Sequence, residues 1–351
     1  MICTVSTIKD SVTNVTRFVE GNLAAGADHL FIFLEGGDRE VLTFLEEHPH
    51  VTVVDADELN RHTPQASGLN VRQTVNANRI NYLLSDVDSA GWLFHIDGDE
   101  VLDIDRDRLL ELDPEVNSVR LVPRESVSSS QPEHRGYFKR LLEQEELALL
   151  TVLGVVDRPS NRKYFHGHVA GKIGVRPSVR HGLHIHQSRV LGEEHTQESY
   201  RADWLRVLHY ESVTMEEFLR KWEVHIQAGP ETSFRGEKEL VRGAIIAVLG
   251  NAHLDEDEKR HHLTEIYRRR VEDDVPTLLR LGLLETVAPL NHHPGSFTRR
   301  EQKRMARELS ALLDAEMGFF LPRRLEHDPA ELKATIRRGS SLIGGGWHRS
   351  S

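Results

Sequence analysis

The segment that decides the fold is Trp92-Leu93-Phe94-His95-Ile96-Asp97-Gly98-Asp99-Glu100. Its first five residues have the length and apolar character of a buried strand, and two aspartates follow it directly. Side chains alternate along an extended chain, so we expect Asp97 and Asp99 to point the same way. Two carboxylates on one side of a strand end suit Mg²⁺ or Mn²⁺, and Gly98 lets a ligand approach the backbone. A D-x-D tripeptide is also common in an acidic chain, and its place after a strand is what favours a metal site.

Around this segment, apolar strands alternate with amphipathic helices. The pattern predicts strands at 2–7, 30–34, 51–54, 92–96 and 118–122, with helices at 10–25, 41–47 and 72–86. Such alternation is typical of βαβ units, so we predict an α/β fold, a Rossmann-type mixed sheet flanked by helices. Ligands of open α/β sheets bind outside the carboxyl ends of the strands, where Asp97 and Asp99 fall.

The remainder of the chain predicts a C-terminal all-α extension. Helical patterns begin at residue 214 and recur to residue 338, and a Gly/Ser-rich stretch closes the chain. We therefore predict an α/β domain over 1–230, a helical region over 231–338 and a flexible tail over 339–351. The helical region is a candidate for acceptor binding or for forming a homo-oligomer.

Composition excludes several classes of protein. The 351 residues carry a formal net charge of −11 and a single cysteine, Cys3, which excludes a disulfide scaffold and a cysteine-based zinc module. Residues 1–120 hold 22 acids and 9 bases, which argues against nucleic-acid binding. Mean hydropathy is −0.44, and no apolar run approaches the roughly 18–20 residues of a membrane span. We expect a cytoplasmic protein without a signal peptide, with peripheral association at a membrane left open.

Further stretches extend the pattern on both sides of the central segment. They are Thr7-Ile8-Lys9-Asp10-Ser11, residues 23–33 around Gly26-Ala27-Asp28-His29, Arg72-Gln73-Thr74-Val75-Asn76, Gly171-Lys172 and Leu208-His209-Tyr210. With Trp92 to Glu100, they resemble the GT-A glycosyltransferases of the family-2-like type over about residues 1–225. Asp10-Ser11 replaces the family's Asn-Glu, and Glu35-Gly36-Gly37-Asp38 replaces its "D-n-x-S-x-D". The late Glu-Asp pair, where many inverting members place their base, is missing from the residues 1–225 that carry the resemblance.

The resemblance implies a GT-A-like catalytic domain over 1–230 and a set of site residues. Asp97 and Asp99 would bind Mn²⁺ or Mg²⁺, with His209 as a third ligand or phosphate contact and Lys172 at a phosphate. The nucleotide would lie against Thr7, Lys9, Glu35, Arg72, Asn76 and Arg79. Arg72, Asn76 and Arg79 share one helix face by spacing, opposite the apolar face, and a solvated face is the alternative. A buried, hydrogen-bonded role is the alternative for His209, and a surface position is the alternative for Lys172.

A catalytic base must lie within hydrogen-bond reach of the acceptor hydroxyl. The candidates are Asp157, His184, His186 and Glu211. His184-Ile185-His186 alternate in a predicted strand, so both imidazoles are expected on one side, as a metal pair or as two structural or surface histidines.

The resulting prediction is a metal-dependent glycosyltransferase of the hexosyltransferase type, acting in polysaccharide biosynthesis. It would move a sugar from a nucleotide diphosphate sugar to a hydroxyl of a glycan or lipid-linked acceptor. One alternative is a nucleotidyltransferase on a similar fold, although Ile8-Lys9-Asp10-Ser11-Val12 lacks the Gly-rich, basic loop expected there. A non-catalytic glycan-binding or scaffold protein of surface polysaccharide assembly is the second alternative. A hydrolase built on the seven histidines from His166 to His209 is the third.

Overall fold

A computed structural model describes residues 1–61, 68–178, 180–190, 198–227, 237–288, 291–315 and 317–321. The strands in these ranges are β1 (Ile2–Ile8), β2 (His29–Leu34), β3 (Val51–Asp55), β4 (Trp92–His95), β5 (Glu100–Ile104), β6 (Ser118–Ser126), β7 (Tyr137–Lys139), β8 (Lys172–Val175), β9 (His181–Leu183), β10 (Ser188–Val190), β11 (Leu205–His209) and β12 (Leu284–Thr286). The helices are α1 (Val12–Ala24), α2 (Arg39–Glu47), α3 (Ala56–Arg61), α4 (Leu69–Leu84), α5 (Arg106–Leu110), α6 (Gln144–Val152), α7 (Asn161–Tyr164), α8 (Met215–Gln227), α9 (Glu237–Leu249), α10 (Glu256–Arg270), α11 (Val275–Arg280) and α12 (Arg299–Asp314). The predicted mixed α/β fold class, with helices towards the C-terminus, is confirmed.

The chain divides into two compact units. Unit 1 comprises Met1–Val122, Gly171–Val207 and Leu290–Ser351, and unit 2 comprises Pro123–Ala170 and Leu208–Pro289. The assignment of a catalytic domain to 1–230 and a helical region to 231–338 stays a prediction. The predicted tail, 339–351, and the predicted helix near 329–338 lie outside the described residues.

Unit 1 is built on four parallel strands. β1 pairs with β2 and with β4, and β2 pairs with β3, all in parallel, which gives the order β3-β2-β1-β4. β8 extends the sheet antiparallel to β4, and the first residues of β6 pair with β8. The chain winds outward from β1 to β3 and then returns across β1 to β4. The carboxyl ends of β1 and β4 therefore flank a topological switch point, where open α/β sheets bind ligands.

Mainly apolar sequence explains the central strands, because a parallel strand that is covered on both faces buries all its side chains. Every residue of β1 and β2 is buried. One large core cluster joins these strands to α4 and α12, through Val5, Phe33, Val75, Ile80, Leu93, Met305, Leu309 and Leu312. α1 is amphipathic as predicted and buries Val15, Phe18, Val19 and Leu23.

Unit 2 has a small antiparallel sheet and two apolar clusters. β7 pairs with the end of β6 and with β12. One cluster gathers α6, α7 and α11 around Leu150 and Tyr164, and the other gathers α8, α9 and α10 around Trp222 and Tyr267. β12 is a short strand within the part of the chain that the sequence predicts as all-helical. None of the helices in the described ranges combines the length and apolar character that crossing a bilayer requires.

Candidate functional site

The two aspartates of the D-x-D segment lie in a turn at the switch point. β4 ends at His95, and the Glu100 amide donates to the Asp97 carbonyl oxygen at 3.1 Å, which closes a turn before β5. Strand alternation does not describe Asp97 and Asp99, because β4 ends at His95 and neither residue is in extended strand. Gly98 packs closely against the end of β1, where an added Cβ would lie 3.0 Å from two side-chain carbons of Ile8.

Both Asp97 carboxylate oxygens have protein partners in unit 1. Lys172 Nζ, at the start of β8, lies 2.5 Å from Oδ2, and Gln73 Nε2, on α4, lies 3.0 Å from Oδ1. Lys172 is fully buried and also lies 3.4 Å from Glu100 Oε2, which accepts the Asp97 amide at 2.7 Å. The cluster thus holds a buried cation between two carboxylates.

These contacts fix the charges of the cluster. Burial by itself would lower the pKa of Lys172, but the Asp97 and Glu100 carboxylates outweigh it and raise that pKa. Burial would raise the pKa of Asp97, but the Lys172 cation outweighs it and lowers that pKa, against the opposing effect of Asp99. Asp97 and Lys172 are therefore both charged at neutral pH, and Asp99 is half-buried in the same turn.

His95 is a neutral, buried group behind this turn. Burial, followed by the nearby Lys172 cation, lowers the pKa of His95 to about 4. Its Nδ1 lies 3.1 Å from the carbonyl oxygen of His184 and donates to it. The imidazole therefore fixes the position of the β9–β10 hairpin within unit 1.

The end of β2 contributes an ion pair to a small cleft. Arg72 on α4 donates to Glu35 through Nε at 2.5 Å and Nη2 at 2.8 Å, and this hydrogen bonding raises the pKa of Arg72. This cleft lies beside the pair and is lined by Glu35, Ala56, Leu59, Arg72, Asn76, Arg79 and Met317. Exposed Lys9 lies over Gly36, where φ is +55° and an added Cβ would lie 2.9 Å from Lys9 Cε.

The polar residues of α4 differ in their surroundings. Asn76 donates to Thr7 Oγ1 at 3.0 Å, and both residues are buried. Arg79 is 1% exposed, donates to the Leu313 and Ala315 carbonyls at 3.5 and 3.3 Å, and burial lowers its pKa to about 10. The alternative of a solvated face is wrong for Asn76 and Arg79, because both side chains are buried inside the unit. The nucleotide-binding role of these residues stays a prediction.

Sequence reasoning missed the roles of three amides on α4. Gln73 orients Asp97, whereas Asn78 and Asn81 bind the backbone around β9, with Asn78 Oδ1 accepting the Leu183 amide at 2.8 Å. Four of the residues from 73 to 81 are Gln or Asn. That density on a helix with an apolar face could have indicated buried amides, because a buried polar side chain needs a hydrogen-bond partner.

The histidines at 184 and 186 lie in a hairpin loop of unit 1. The His184 amide donates to the Gln187 carbonyl at 2.8 Å, and β9 and β10 pair around it. The predicted strand through 184–186 is therefore wrong. His186 Nδ1 lies 2.8 Å from the Gly171 carbonyl oxygen. Their roles as catalytic bases stay predictions.

The other candidate residues belong to unit 2. His209 is buried, its Nε2 lies 3.3 Å from Glu211 Oε2, and Glu211 pairs with Lys221 at 2.8 Å. His209 also stacks on His168, with ring centroids 5.1 Å apart. Asp157 is exposed after α6. The roles of Asp157 and Glu211 as bases, and of His209 as a ligand, stay predictions.

Side chains of the types that ligate divalent metals occur in each unit. They are Asp99 and Glu100 in unit 1, and His168, His209 and Glu211 in unit 2. Carboxylate oxygens suit Mg²⁺ and Mn²⁺, whereas imidazole suits softer transition metals. The residues of the Asp97–Glu100 turn therefore fit the predicted hard cation in their chemistry.

Comparison with known proteins identifies no family. No protein-family model matches the chain, and no curated protein matches it. Two solved structures are similar at 10% identity. HddC from Yersinia pseudotuberculosis is matched over 63% of this chain and 97% of its own, with a TM-score of 0.26. A putative glucose-1-phosphate thymidylyltransferase from Bacillus anthracis, in complex with a sucrose, is matched over 51% and 73%, with a TM-score of 0.22. Scores of this size carry no argument about this chain's fold or activity.

Proposed function

We propose that this protein is a divalent-metal-dependent glycosyltransferase that binds a nucleoside diphosphate sugar at the carboxyl edge of unit 1. The observation that carries the proposal is the Asp97–Gly98–Asp99 turn at the β1/β4 switch point, beside buried Lys172. Thr7, Glu35 and Arg72 lie at the carboxyl ends of neighbouring strands or on the helix that contacts them. The acceptor would be a hydroxyl of a glycan or of a lipid-linked glycan.

The proposed chemistry follows from the charges. Mn²⁺ or Mg²⁺ held by Asp99 would neutralise the charge that develops on a departing diphosphate. The Asp97 carboxylate keeps its orientation in the turn, because Lys172 and Gln73 hydrogen-bond to its two oxygens. The Arg72–Glu35 pair gives the cleft a planar cation and a carboxylate, which suit phosphate and ribose hydroxyls respectively.

The test measures metal-linked binding to the full chain. Calorimetry with nucleoside diphosphates, with and without Mn²⁺, should show binding that requires the metal. The melting temperature should rise with both ligands present, since a ligand at 100 times its Kd stabilises by about 2.7 kcal/mol. Asp99→Asn should weaken the metal-linked binding at least about tenfold, whereas Asp107→Asn, on exposed α5, should leave it unchanged. Binding that ignores both the metal and Asp99→Asn would contradict the proposal.

Nucleotidyl transfer is the second candidate, and the start of α1 favours it. α1 begins four residues after the end of β1, and the side chain of its N-cap residue, Ser11, makes no capping hydrogen bond. The first amides of a helix can bind a phosphate, so a nucleoside triphosphate is a reasonable ligand there.

Two product assays distinguish these candidates. A glycosyltransferase releases a nucleoside diphosphate from a nucleotide sugar, whereas a nucleotidyltransferase releases pyrophosphate from a nucleoside triphosphate and a sugar 1-phosphate. Release of pyrophosphate alone would replace the first candidate by the second. Metal-independent glycan binding without either product would favour a non-catalytic binding protein.

A further inference from the structure

The exposed side of α12 carries a row of basic residues, here called the α12 stripe: Arg299, Arg300, Lys303 and Arg307. All four side chains are exposed. Arg299, Lys303 and Arg307 recur at intervals of four, which places them along one side of the helix. Across the described ranges, none of these four residues pairs with a carboxylate.

The helix beneath the stripe is firmly held in unit 1. Met305, Leu309 and Leu312 are buried in the core cluster that also contains α4 residues. A capping box at Thr298 and Glu301 closes its first turn, and Glu301 also accepts from Ser89 at 2.6 Å. The stripe therefore presents its cations from a rigid element.

Neighbouring acids do not neutralise the stripe. Glu301 is used in the capping box, and Glu308 pairs with Arg304 at 2.9 Å. Arg304 also lies 3.4 Å from Asp86, so it is excluded from the stripe. A group of four exposed cations without a carboxylate partner in the described part of the chain stands out in a protein whose formal net charge is −11.

We infer that the α12 stripe docks unit 1 on a bilayer that contains anionic lipid. A cluster of four or more Lys and Arg residues on an amphipathic helix is typical of proteins that bind acidic headgroups. Among the exposed residues of α12 there is no aromatic side chain on which a base could stack.

The shape of the charge distribution also favours a planar partner. Residues 1–120 have 22 acids and 9 bases, so a polyanion that wraps around the protein would meet repulsion. A flat surface touches one side of the molecule only. The inference concerns docking and does not depend on the proposed glycosyl transfer.

Vesicle sedimentation tests this inference with the full chain. We expect wild-type protein to sediment with vesicles of phosphatidylcholine and phosphatidylglycerol at low salt, less at high salt, and not with phosphatidylcholine alone. Replacing Arg300, Lys303 and Arg307 together by Gln should weaken binding roughly a hundredfold, because each base near an anionic surface contributes substantially to partitioning. The matched control replaces Arg268, Arg269 and Arg270 of α10 by Gln. It removes the same charge, but Arg268 and Arg269 already pair with Glu265, so binding should be retained.

Four results would overturn the inference. They are no sedimentation of the wild type, equal sedimentation with neutral vesicles, equal loss in the two triple variants, and tighter binding to duplex DNA or single-stranded RNA than to the anionic vesicles. The last result would assign the stripe to nucleic acid. Circular dichroism and thermal melting of both triple variants would verify that each is folded.

Discussion

Lys139 is a fully buried cation in unit 2. Its Nζ lies 2.9 Å from Glu125, 3.0 Å from Asp273 and 3.1 Å from the Tyr164 carbonyl oxygen, and the side chain is fully buried. Glu125 also accepts the His166 and Gly167 amides, and Asp273 accepts the Ser128 amide. A buried charge is tolerated when its partners satisfy it, so this cluster depends on all its members.

Removing the Lys139 cation should therefore lower the free energy of unfolding. We expect Lys139→Met to lower the free energy of unfolding by about 3–5 kcal/mol, because two carboxylates would stay buried without their cation. Urea unfolding followed by circular dichroism measures the change. Lys259→Met, which removes an i,i+3 pair with Glu256 on α10, should cost below about 1 kcal/mol. Equal losses in the two variants would contradict this account.

Asp273 gives the same cluster a pH dependence. Burial alone would raise its pKa, but the Lys139 cation and His166 outweigh burial and lower the pKa from 3.8 to about 2. Because the folded-state pKa is the lower one, the stabilisation is present above pH 3.8 and is lost as the pH falls towards 2. The difference in unfolding free energy between wild type and Asp273→Asn should shrink by about 2 kcal/mol over this window. Acid titrations of both proteins measure it, and a constant difference would refute the prediction.

Adding a single methyl group at Gly174 should lower the stability of the protein. Gly174 pairs with Phe94 across β4 and β8, and an added Cβ would lie 2.3 Å from the Phe94 ring. We expect Gly174→Ala to cost about 1–3 kcal/mol through overpacking. Gly243→Ala, in exposed α9 with no atom near the new Cβ, should instead stabilise by roughly 0.5–1 kcal/mol. Thermal melting of both variants distinguishes the signs.

For single residues, the sequence predicts which side chains follow the central strands better than it predicts what those side chains contact. It places Asp97 and Asp99 directly after a buried strand, but it does not reveal that the strand ends at His95 and that the backbone then turns between Asp97 and Glu100. Helical spacing places Arg79 with Arg72, yet Arg79 binds carbonyls more than 230 residues away in the chain. Such long-range partners leave no periodic signal in the sequence.

Among the elements, the N-caps of α1 and α12 differ in one hydrogen bond and can be compared directly. Thr298 Oγ1 accepts from the Glu301 amide at 3.3 Å, whereas Ser11 makes no side-chain cap hydrogen bond. We expect Thr298→Ala to lower stability by about 1 kcal/mol and Ser11→Ala to have a smaller effect. Chemical denaturation measures both changes, and equal losses would show that the Thr298 cap does not hold α12.

Element prediction succeeds where apolar patterning dominates. β1, β2, β3 and β4 lie within one or two residues of the predicted strands, because short runs rich in apolar and β-branched residues, bounded by polar segments, mark strands. β5 is absent from the prediction because Glu100 and Asp103 interrupt it, although both residues are buried. The 184–187 hairpin was missed because its turn contains none of the usual Gly, Asn or Asp residues.

For the whole molecule, contacts distant in sequence decide which segments fold together. Phe297, Met305, Leu309, Leu312 and Phe320 are buried in the core cluster of unit 1, although they follow unit 2 in the chain. Helical periodicity predicts α12 but cannot indicate which surface it covers.

Truncation tests this assembly. Each of these side chains contributes about 1.5–3 kcal/mol when fully buried, and together they approach the whole stability of a typical domain. A chain that ends after Ala288 should therefore lose cooperative unfolding and bind a hydrophobic dye. A chain that ends after Leu321 keeps these residues and serves as the control. Unchanged melting of the shorter chain would show that unit 1 does not need α12.

The interleaving of the two units has a consequence for synthesis on the ribosome. The chain emerges from its N-terminus, and unit 1 begins first yet receives its last core residues only after Pro289, when every segment of unit 2 has already been made. Until then, the α4 surface that Met305 and Leu309 cover has no partner. A nascent chain paused before residue 297 should therefore expose an apolar groove that attracts chaperones, and translation speed through residues 290–320 should influence the yield of folded protein.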